Sequence, residues 1–371
     1  MINIYPQVDS TVKPVISAQK VKSIRNLRRN ICEASDISHL GKRVMNQAFL
    51  TTLNSRRATL LGAVTATVGG IGIVSISRPR TDGGTATPTD RDSSDPTTDP
   101  TLIAHRGFAG ENPENTRLAA QAATRESGPG RRADLVEIDV VPTADGDVVV
   151  FHDDDLAGRD GEGTGLTETS GLVWETKTET VTNAEVLQSG ETVPRLAELL
   201  SSIPSAVGVN IELKNPGSTS LRFGEKLSGK ALDTQKAVWR PFVDRVVDIV
   251  DAHDHEILFS SFYEAALAVV AEQSTASVAP ILWESVDDGI AIAEAYDADA
   301  IHPPVAMIRN TPFFDHGRFG ETDLVQTAQS HGWDVNVWTV DSWYQADRLL
   351  DAGVDGLIAD YSTLLRERVI S

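Results

Sequence analysis

The stretch "LIAHRGFAGENPENT", residues 102–116, ends an apolar run in an imidazole, a guanidinium and a glycine, His105-Arg106-Gly107. A base and a fixed positive charge pack poorly at a strand end, but they suit a bound phosphate. Glu137 and Asp139 lie two apart inside the apolar run "LVEIDVV". On a strand that spacing puts both carboxylates on one face. Buried without partners they would be costly, and a divalent cation removes the cost. Oxygen-only ligands favour a hard ion, Mg2+ or Ca2+. "VVFHDD" supplies a second imidazole, His152, and "NIELKN" repeats the spacing of two with Glu212 and Lys214. Glu212 can complete a three-carboxylate metal site, and Lys214 adds a cation beside Arg106. Trp338, two residues after Asn336, offers an aromatic face to an organic part of a substrate. This inventory suits phosphodiester chemistry. The metal, Arg106 and Lys214 neutralise charge on the phosphoryl oxygens, while one imidazole withdraws a proton and the other donates one.

Such groups need a frame that brings successive strand ends together. From residue 101 onward, short β-like runs alternate with amphipathic helical stretches such as "TRLAAQAATRE", "PRLAELLSSI" and "WYQADRLLDAG". The runs at 102–105, 135–141, 209–214, 257–262, 278–283, 300–302, 335–340 and 356–359 make eight candidate strands. Alternation of this kind predicts a parallel sheet, and eight strands in that length predict closure into a barrel. The expected fold class is α/β: a (β/α)8 TIM barrel with a small insertion after strand 2, preceded by a disordered N-terminal extension and an export signal. An open doubly wound sheet is the alternative, weakened because no G-x-G-x-x-G follows the first strand. Residues 146–194 break the rhythm with a β-like run and a polar, glycine-rich stretch, which predicts a hairpin and a small excursion over the barrel mouth. His253-Asp254-His255 has a ligand-like spacing but falls in a helix-to-strand loop, and His302 at a strand end is expected to face the mouth.

Composition narrows the partners. The chain of 371 residues has a formal charge of −20. Residues 1–80 hold 12 of the 33 basic and 3 of the 53 acidic side chains, so the remaining 291 residues carry −29. So acidic a body does not bind nucleic acid by counterion release. Its excess of acids, and of arginine over lysine, fits adaptation to high salt. The single cysteine, Cys32, lies outside the predicted body, which excludes an internal disulfide and a thiolate metal site.

Residues 54–77, "NSRRATLLGAVTATVGGIGIVSIS", place Arg56-Arg57 before an uncharged, mildly apolar run. This resembles a twin-arginine export signal, and residues 58–77 could also tether the chain to a membrane. The predicted partner of this segment is the twin-arginine export machinery, with the body outside the cell or tethered to the outer face of its membrane. Residues 1–53 form an extension before the signal, and Met45 would be the start that gives a signal of ordinary length. The signal occupies 54–80, a Thr/Asp-rich linker 81–100 and the folded domain 101–371.

The ordered motifs "AHRG", "PENT", "EIDV", "VVFHD", "IELK", "VNVWTVD" and "GVDGLIADYS" resemble the glycerophosphodiester phosphodiesterases, and the acidic body suggests a halophilic archaeal type. The likeness spans residues 102–362. It implies a TIM barrel that hydrolyses glycerophosphodiesters to an alcohol and glycerol phosphate with one divalent cation, Mg2+ or Ca2+. Carried over by motif, His105 and His152 are the acid/base pair, Glu137, Asp139 and Glu212 the metal ligands, and Arg106 and Lys214 the phosphate contacts. Within "PENT", Glu114 reads as a structural turn residue and Asn115 or Thr116 as a helix N-cap. Departures are peripheral: Asp341 replaces an Asn after "WTV", and "IADYS" lacks the usual Thr and Pro. Two other readings keep part of this picture. One is phospholipase C or D cleavage of intact lipid, which calls for an apolar rim at the mouth. The other is a non-catalytic binding module, which calls for loss of one of the seven charged or imidazole groups.

Overall fold

The computed structural model describes residues 99–125, 130–159 and 165–365. The N-terminal extension, Met45, the export segment and nearly all of the linker lie outside the described residues. Among the described residues no helix is long and apolar enough to cross a membrane.

Each predicted strand forms. They are β1 (Thr101–Ala104), β2 (Leu135–Pro142), β4 (Gly208–Leu213), β5 (Ile257–Ser261), β6 (Ser277–Pro280), β7 (Ala300–Ile301), β8 (Asp334–Val340) and β9 (Gly356–Ala359). The added strand β3 (Val148–Val150) folds back antiparallel on the end of β2, so the predicted hairpin after strand 2 is present. The parallel strands run β6-β5-β4-β2-β1-β9-β8-β7. A parallel bridge from Ile281 to His302 joins the two ends, with His302 N–H donating to Pro280 O at 3.0 Å and Leu282 N–H to His302 O at 2.9 Å. The sheet is therefore a closed eight-stranded TIM barrel.

Helices α1 (Arg117–Ala123), α2 (Thr178–Thr182), α3 (Leu196–Leu200), α4 (Gly229–Val250), α5 (Glu264–Gln273), α6 (Val286–Ala295), α7 (Leu324–His331) and α8 (Trp343–Asp351) intervene. Their starts follow from short polar caps. Thr116, Ser285, Asp323 and Ser342 each accept a hydrogen bond from an amide in the first turn. In α4 the buried Gln235, Trp239, Phe242, Val243, Val246, Val247 and Val250 recur every three or four residues, so one stripe faces the strands.

Strand alternation gives the barrel a second, inner core. Leu135, Leu258, Ala279 and Ala300 form an apolar plug in the lumen. Above it, Asn210 donates to Ser260 Oγ at 3.1 Å and Asn336 meets His302 Nε2 at 3.3 Å. Gly356 is required here: a Cβ on it would stand 2.1 Å from Asn336 Oδ1. His302 is fully buried beside Asn336, so it faces the lumen and not the open mouth. Burial pushes its imidazole down to about 3, which keeps it neutral. The excursion between β2 and α3 has its own apolar cluster, including Val149, Phe151, Leu156, Leu166, Val173 and Val181.

The first strand stops one residue earlier than its pattern predicts. Arg106 and Gly107 adopt left-handed φ values of 50° and 81°, which ends extension at Ala104 and turns the chain at His105. Only a glycine fits after Arg106: a Cβ there would lie 2.7 Å from Ala119 Cβ on α1. Gly146, with φ 78°, has nothing within 4 Å of such a Cβ. Gly107→Ala is expected to cost ~2–4 kcal/mol of stability, from strain plus overlap, and Gly146→Ala only ~1 kcal/mol from strain. Equilibrium denaturation of both variants checks this, and equal losses would remove the role given to the approach on α1.

Candidate active site

The turn after β1 does more than end a strand. Its left-handed Arg106 aims its own amide at Glu137, and Arg106 N–H donates to Glu137 Oε2 at 2.8 Å. The Arg106 side chain doubles back, with Nη1 donating to Glu114 Oε1 at 2.7 Å and Nε 3.3 Å from Asp139 Oδ2. Glu114 also takes two hydrogen bonds from Arg159 Nη2, at 2.9 and 2.8 Å. "PENT" is thus a clamp. Glu114 holds Arg106 against a second arginine from the excursion. Thr116 is the N-cap of α1, and Asn115 instead grips Asp139. Asn115 Nδ2 donates to Asp139 Oδ2 at 2.7 Å, and its Oδ1 accepts from Asp139 N–H at 3.2 Å.

Glu137 and Asp139 alternate onto the lumen side of β2, and the β2–β4 register sets Asp139 beside Glu212. The three carboxylates bring one oxygen each within 4.8 Å of one another. Lys214 Nζ lies 3.0 Å from Asp139 Oδ1 and 2.5 Å from Glu212 Oε1. Three buried carboxylates so close repel, and the repulsion falls unequally. Burial raises every carboxyl, but Lys214, His152 and Arg106 outweigh it at Asp139 and hold that group well below the usual range. Burial first, then Asp139 and Glu212, push Glu137 well above it. Burial drives Glu212 up to about 7 despite Lys214. Glu137 Oε1 is buried without a hydrogen-bond partner, and so is Glu212 Oε1, which has the Lys214 ion pair. An all-oxygen donor set with two such oxygens and two carboxyls reluctant to ionise fits a hard divalent cation.

Both imidazoles feel the charge of Asp139, and each is oriented by an acid. His105 Nδ1 lies 2.7 Å from Asp360 Oδ1, and His152 Nδ1 lies 2.7 Å from Asp153 Oδ1. An ionised carboxylate only accepts, so Nδ1 carries the hydrogen and Nε2 keeps its lone pair in the neutral ring. Burial lowers both imidazoles, against the raising effect of their carboxylates; Arg106 adds to the lowering at His105 and Lys214 at His152. His152 arrives through the excursion, where Phe151 N–H donates to Asp139 O at 2.9 Å. Asp360 was not among the residues singled out from the sequence. Its signal is an acid that ends the last strand: β1 and β9 pair Ala104 with Ala359, so the following residues, His105 and Asp360, meet side by side. Arg159 carried no such signal, because the excursion has no register to place it.

Trp338 Nε1 donates to His302 O at 2.8 Å, and its ring stands 5.6 Å from that of Phe262. Phe262 in turn lies 5.9 Å from Lys214 Nζ. The nitrogens of His253 and His255 are taken locally: His253 Nδ1 meets Ile249 O at 2.9 Å and its Nε2 meets Ser201 Oγ at 3.3 Å, while His255 meets Val207 O and Leu200 O at 3.3 and 3.1 Å. That use of both rings agrees with a structural role for the motif.

Residues 105–364 match the glycerophosphoryl diester phosphodiesterase family, beginning at His105 itself. The chain belongs to that family. A glycerophosphodiester phosphodiesterase of Caldanaerobacter subterraneus is 28% identical over 264 residues, covering 70% of this chain and 93% of that protein. A glycerophosphodiester phosphodiesterase of Bacillus altitudinis is 26% identical over 277 residues, covering 70% and 94%. Among solved structures, an Oleispira antarctica phosphodiesterase in complex with the product sn-glycerol-3-phosphate superposes with a TM-score of 0.54 at 25% identity, covering 71% of this chain and 94% of that one. As a glycerophosphoryl diester phosphodiesterase family member the chain is a phosphoric diester hydrolase, and the carboxylate trio lies inside the matched region.

The electrostatics predict a metal-linked pH dependence. A carboxyl raised from 4.5 to about 7, as at Glu212, opposes folding increasingly as pH rises through that window. Histidines pushed below 6.5 act in the opposite sense below that value. The difference between metal-saturated and EDTA-treated protein isolates the carboxylates. That difference in thermal midpoint should widen from pH 5 to pH 7.5, by an amount equivalent to about 3 kcal/mol, and shrink in Glu212→Gln. A flat difference in melting scans would reject the trio as the metal site.

Proposed function

We propose that this chain hydrolyses glycerophosphodiesters to an alcohol and glycerol phosphate, in a metal-dependent reaction with His105 and His152 as the acid/base pair. The observation that carries the reading is two imidazoles, each held at Nδ1 by an acid and each within reach of the charge of Asp139, at the barrel end that carries one carboxylate trio and two cations. Glu137, Asp139 and Glu212 would hold the cation, which supplies charge neutralisation at the phosphoryl oxygens. Arg106 and Lys214 hold the phosphate's remaining charge, and Glu114 and Asn115 keep Arg106 and Asp139 in place. One imidazole takes a proton at Nε2 from the attacking oxygen, that of water or of the glycerol's neighbouring hydroxyl; in the second case water then opens the cyclic phosphate. The other, doubly protonated, gives a proton from Nε2 to the alcohol oxygen as its bond to phosphorus breaks. Asp360 and Asp153 are positioning residues that fix ring orientation. The glycerol phosphate bound to the Oleispira relative is a product this reaction would give, which supports the substrate class. The ion is Mg2+ or Ca2+, as oxygen ligands favour.

The acidic body supports a halophilic archaeal type that works in concentrated salt, and Arg56-Arg57 with the run behind it supports export by the twin-arginine machinery. The reaction then takes place outside the cell or at its membrane's outer face, with residues 58–77 as a signal or tether. Cleavage of intact phospholipid is the second reading, favoured by aromatic rings at the mouth, Phe223 and Trp283, which are 40% and 39% exposed.

Glycerol phosphate release from glycerophosphocholine and glycerophosphoethanolamine, followed with Mg2+, Ca2+ or EDTA across a KCl series, tests the reaction. Release should need metal, rise toward molar KCl, and fall at least ~100-fold in His105→Ala and Glu137→Ala. Asp360→Asn should lower kcat ~10-fold or more with little change in KM. A folded, metal-binding protein that releases nothing from either ester but cleaves intact lipid would transfer the function to the second reading. For export, fractionated cells should hold the protein outside the cytoplasm, and replacing Arg56 and Arg57 together by Lys should trap it within. Unchanged distribution would discard the twin-arginine route.

A further inference from the structure

Past the end of β9 the chain runs Asp360-Tyr361-Ser362 alongside the turn that begins at His105. Asp360 Oδ1 meets His105 Nδ1 at 2.7 Å. The backbone of Asp360 is held on both sides: its N–H donates to Val340 O at 3.0 Å, and its carbonyl accepts from Gly110 N–H at 2.9 Å. Two residues on, the two segments meet again. Glu111 Oε1 accepts from Ser362 N–H at 2.7 Å and from the Ser362 hydroxyl at 2.9 Å, and Glu111 Oε2 lies 3.1 Å from the same hydroxyl. Ser362 O accepts from Arg131 N–H at 3.0 Å. Two glycines allow this approach. A Cβ on Gly110 would stand 2.4 Å from the Tyr361 ring, and one on Gly130 would stand 1.9 Å from Ser362 Oγ.

The turn that carries Glu111 is itself anchored. Phe108 is buried, Ala109 N–H donates to His105 O at 3.1 Å, and Glu111 N–H donates to Phe108 O at 2.9 Å. His105 and Glu111 therefore sit on one short segment, and Asp360 and Ser362 on the other. Side chains join the segments at both ends, with the Gly110–Asp360 backbone bond between them. The Asp360 side chain is 26% exposed, so burial alone does not fix its carboxylate. The clasp at Glu111 fixes the backbone that carries it. An ionised carboxylate only accepts, and Ser362 offers it an N–H and an O–H. The proline that the last strand's motif usually carries has neither donor.

We propose that Glu111 and Ser362 are positioning residues for the His105–Asp360 pair, and that their clasp keeps Asp360 in place to orient the imidazole. The role rests on the diesterase reading above. With the clasp open, the segment after β9 loosens, and Asp360 meets His105 Nδ1 in a smaller fraction of molecules.

The test compares the full chain with Glu111→Ala, Glu111→Gln and Ser362→Ala, and with Glu111→Ala in an Asp360→Asn background. On glycerophosphocholine, Glu111→Ala should lower kcat about three- to tenfold and leave KM within about twofold, because ring orientation serves proton transfer more than binding. Glu111→Gln keeps an acceptor oxygen for Ser362 and should retain most of the rate. Ser362→Ala keeps the N–H donor and should fall between the two. In the Asp360→Asn background, Glu111→Ala should change kcat by less than about 1.5-fold, since its effect passes through Asp360. Effects that multiply in the double variant would overturn the proposal, as would an unchanged kcat in Glu111→Ala. Spectra of nitrogen-15-labelled histidine read the same link without turnover. The His105 ring, assigned by its loss in His105→Gln, should be the Nδ1–H tautomer in the full chain and a mixture in Glu111→Ala. A ring unaltered by Glu111→Ala would also overturn the proposal. A ring altered in that way, in a protein that hydrolyses no glycerophosphodiester, would uphold the clasp and place the failure in the diesterase reading.

Discussion

Three carboxylates are buried within a few ångströms of one another at the top of a closed barrel, and the surrounding structure is arranged around that electrostatic cost. Glu137, Asp139 and Glu212 come from adjacent strands whose register is fixed, so they cannot move apart. Their charge is met by every nearby element. The turn after β1 gives an amide and a guanidinium, β4 gives Lys214, and the loop before α1 gives the Asn115 amide. Removing one partner would leave a buried charge unpaired, which costs more than the pair returned.

The same constraint explains the backbone around His105. Arg106 must turn its amide toward Glu137 while its side chain folds back toward Asp139 and Glu114. Left-handed φ at Arg106 does both, Gly107 lets the turn close on α1, and the loop then returns as "PENT" to grip from the other side. His105 is left at the strand end, where the last strand supplies Asp360. Local backbone conformation, metal-capable acids and imidazole orientation are in this way one connected arrangement.

Much of this could be read from residue pattern alone, for identifiable reasons. Period-two carboxylates in apolar strands report a lumen face directly, so Glu137, Asp139 and Glu212 were legible, as were the strands that carry them. Element ends were less so. Hydrophobic pattern continues through His105, but backbone sterics stop the strand at Ala104. Asp360 is invisible until the barrel closes, because its partner is 255 residues away. Asn115 and Thr116 are equal candidates for the cap by residue type; Thr116 is the cap, and what the pattern does not announce is that Asn115 turns to the tertiary partner Asp139.

The excursion after β2 has a further consequence. Its apolar residues form a cluster of their own, yet it delivers His152 and Arg159 to the centre. Among the described residues, the Phe151 amide on Asp139 and the Arg159 clamp on Glu114 bind it to the chemistry. It is therefore a cassette in evolutionary terms. Its outer turns can lengthen, shorten or change sequence without shifting a strand of the barrel. Descent can reshape the approach to the phosphate while the carboxylates beneath it stay where they are.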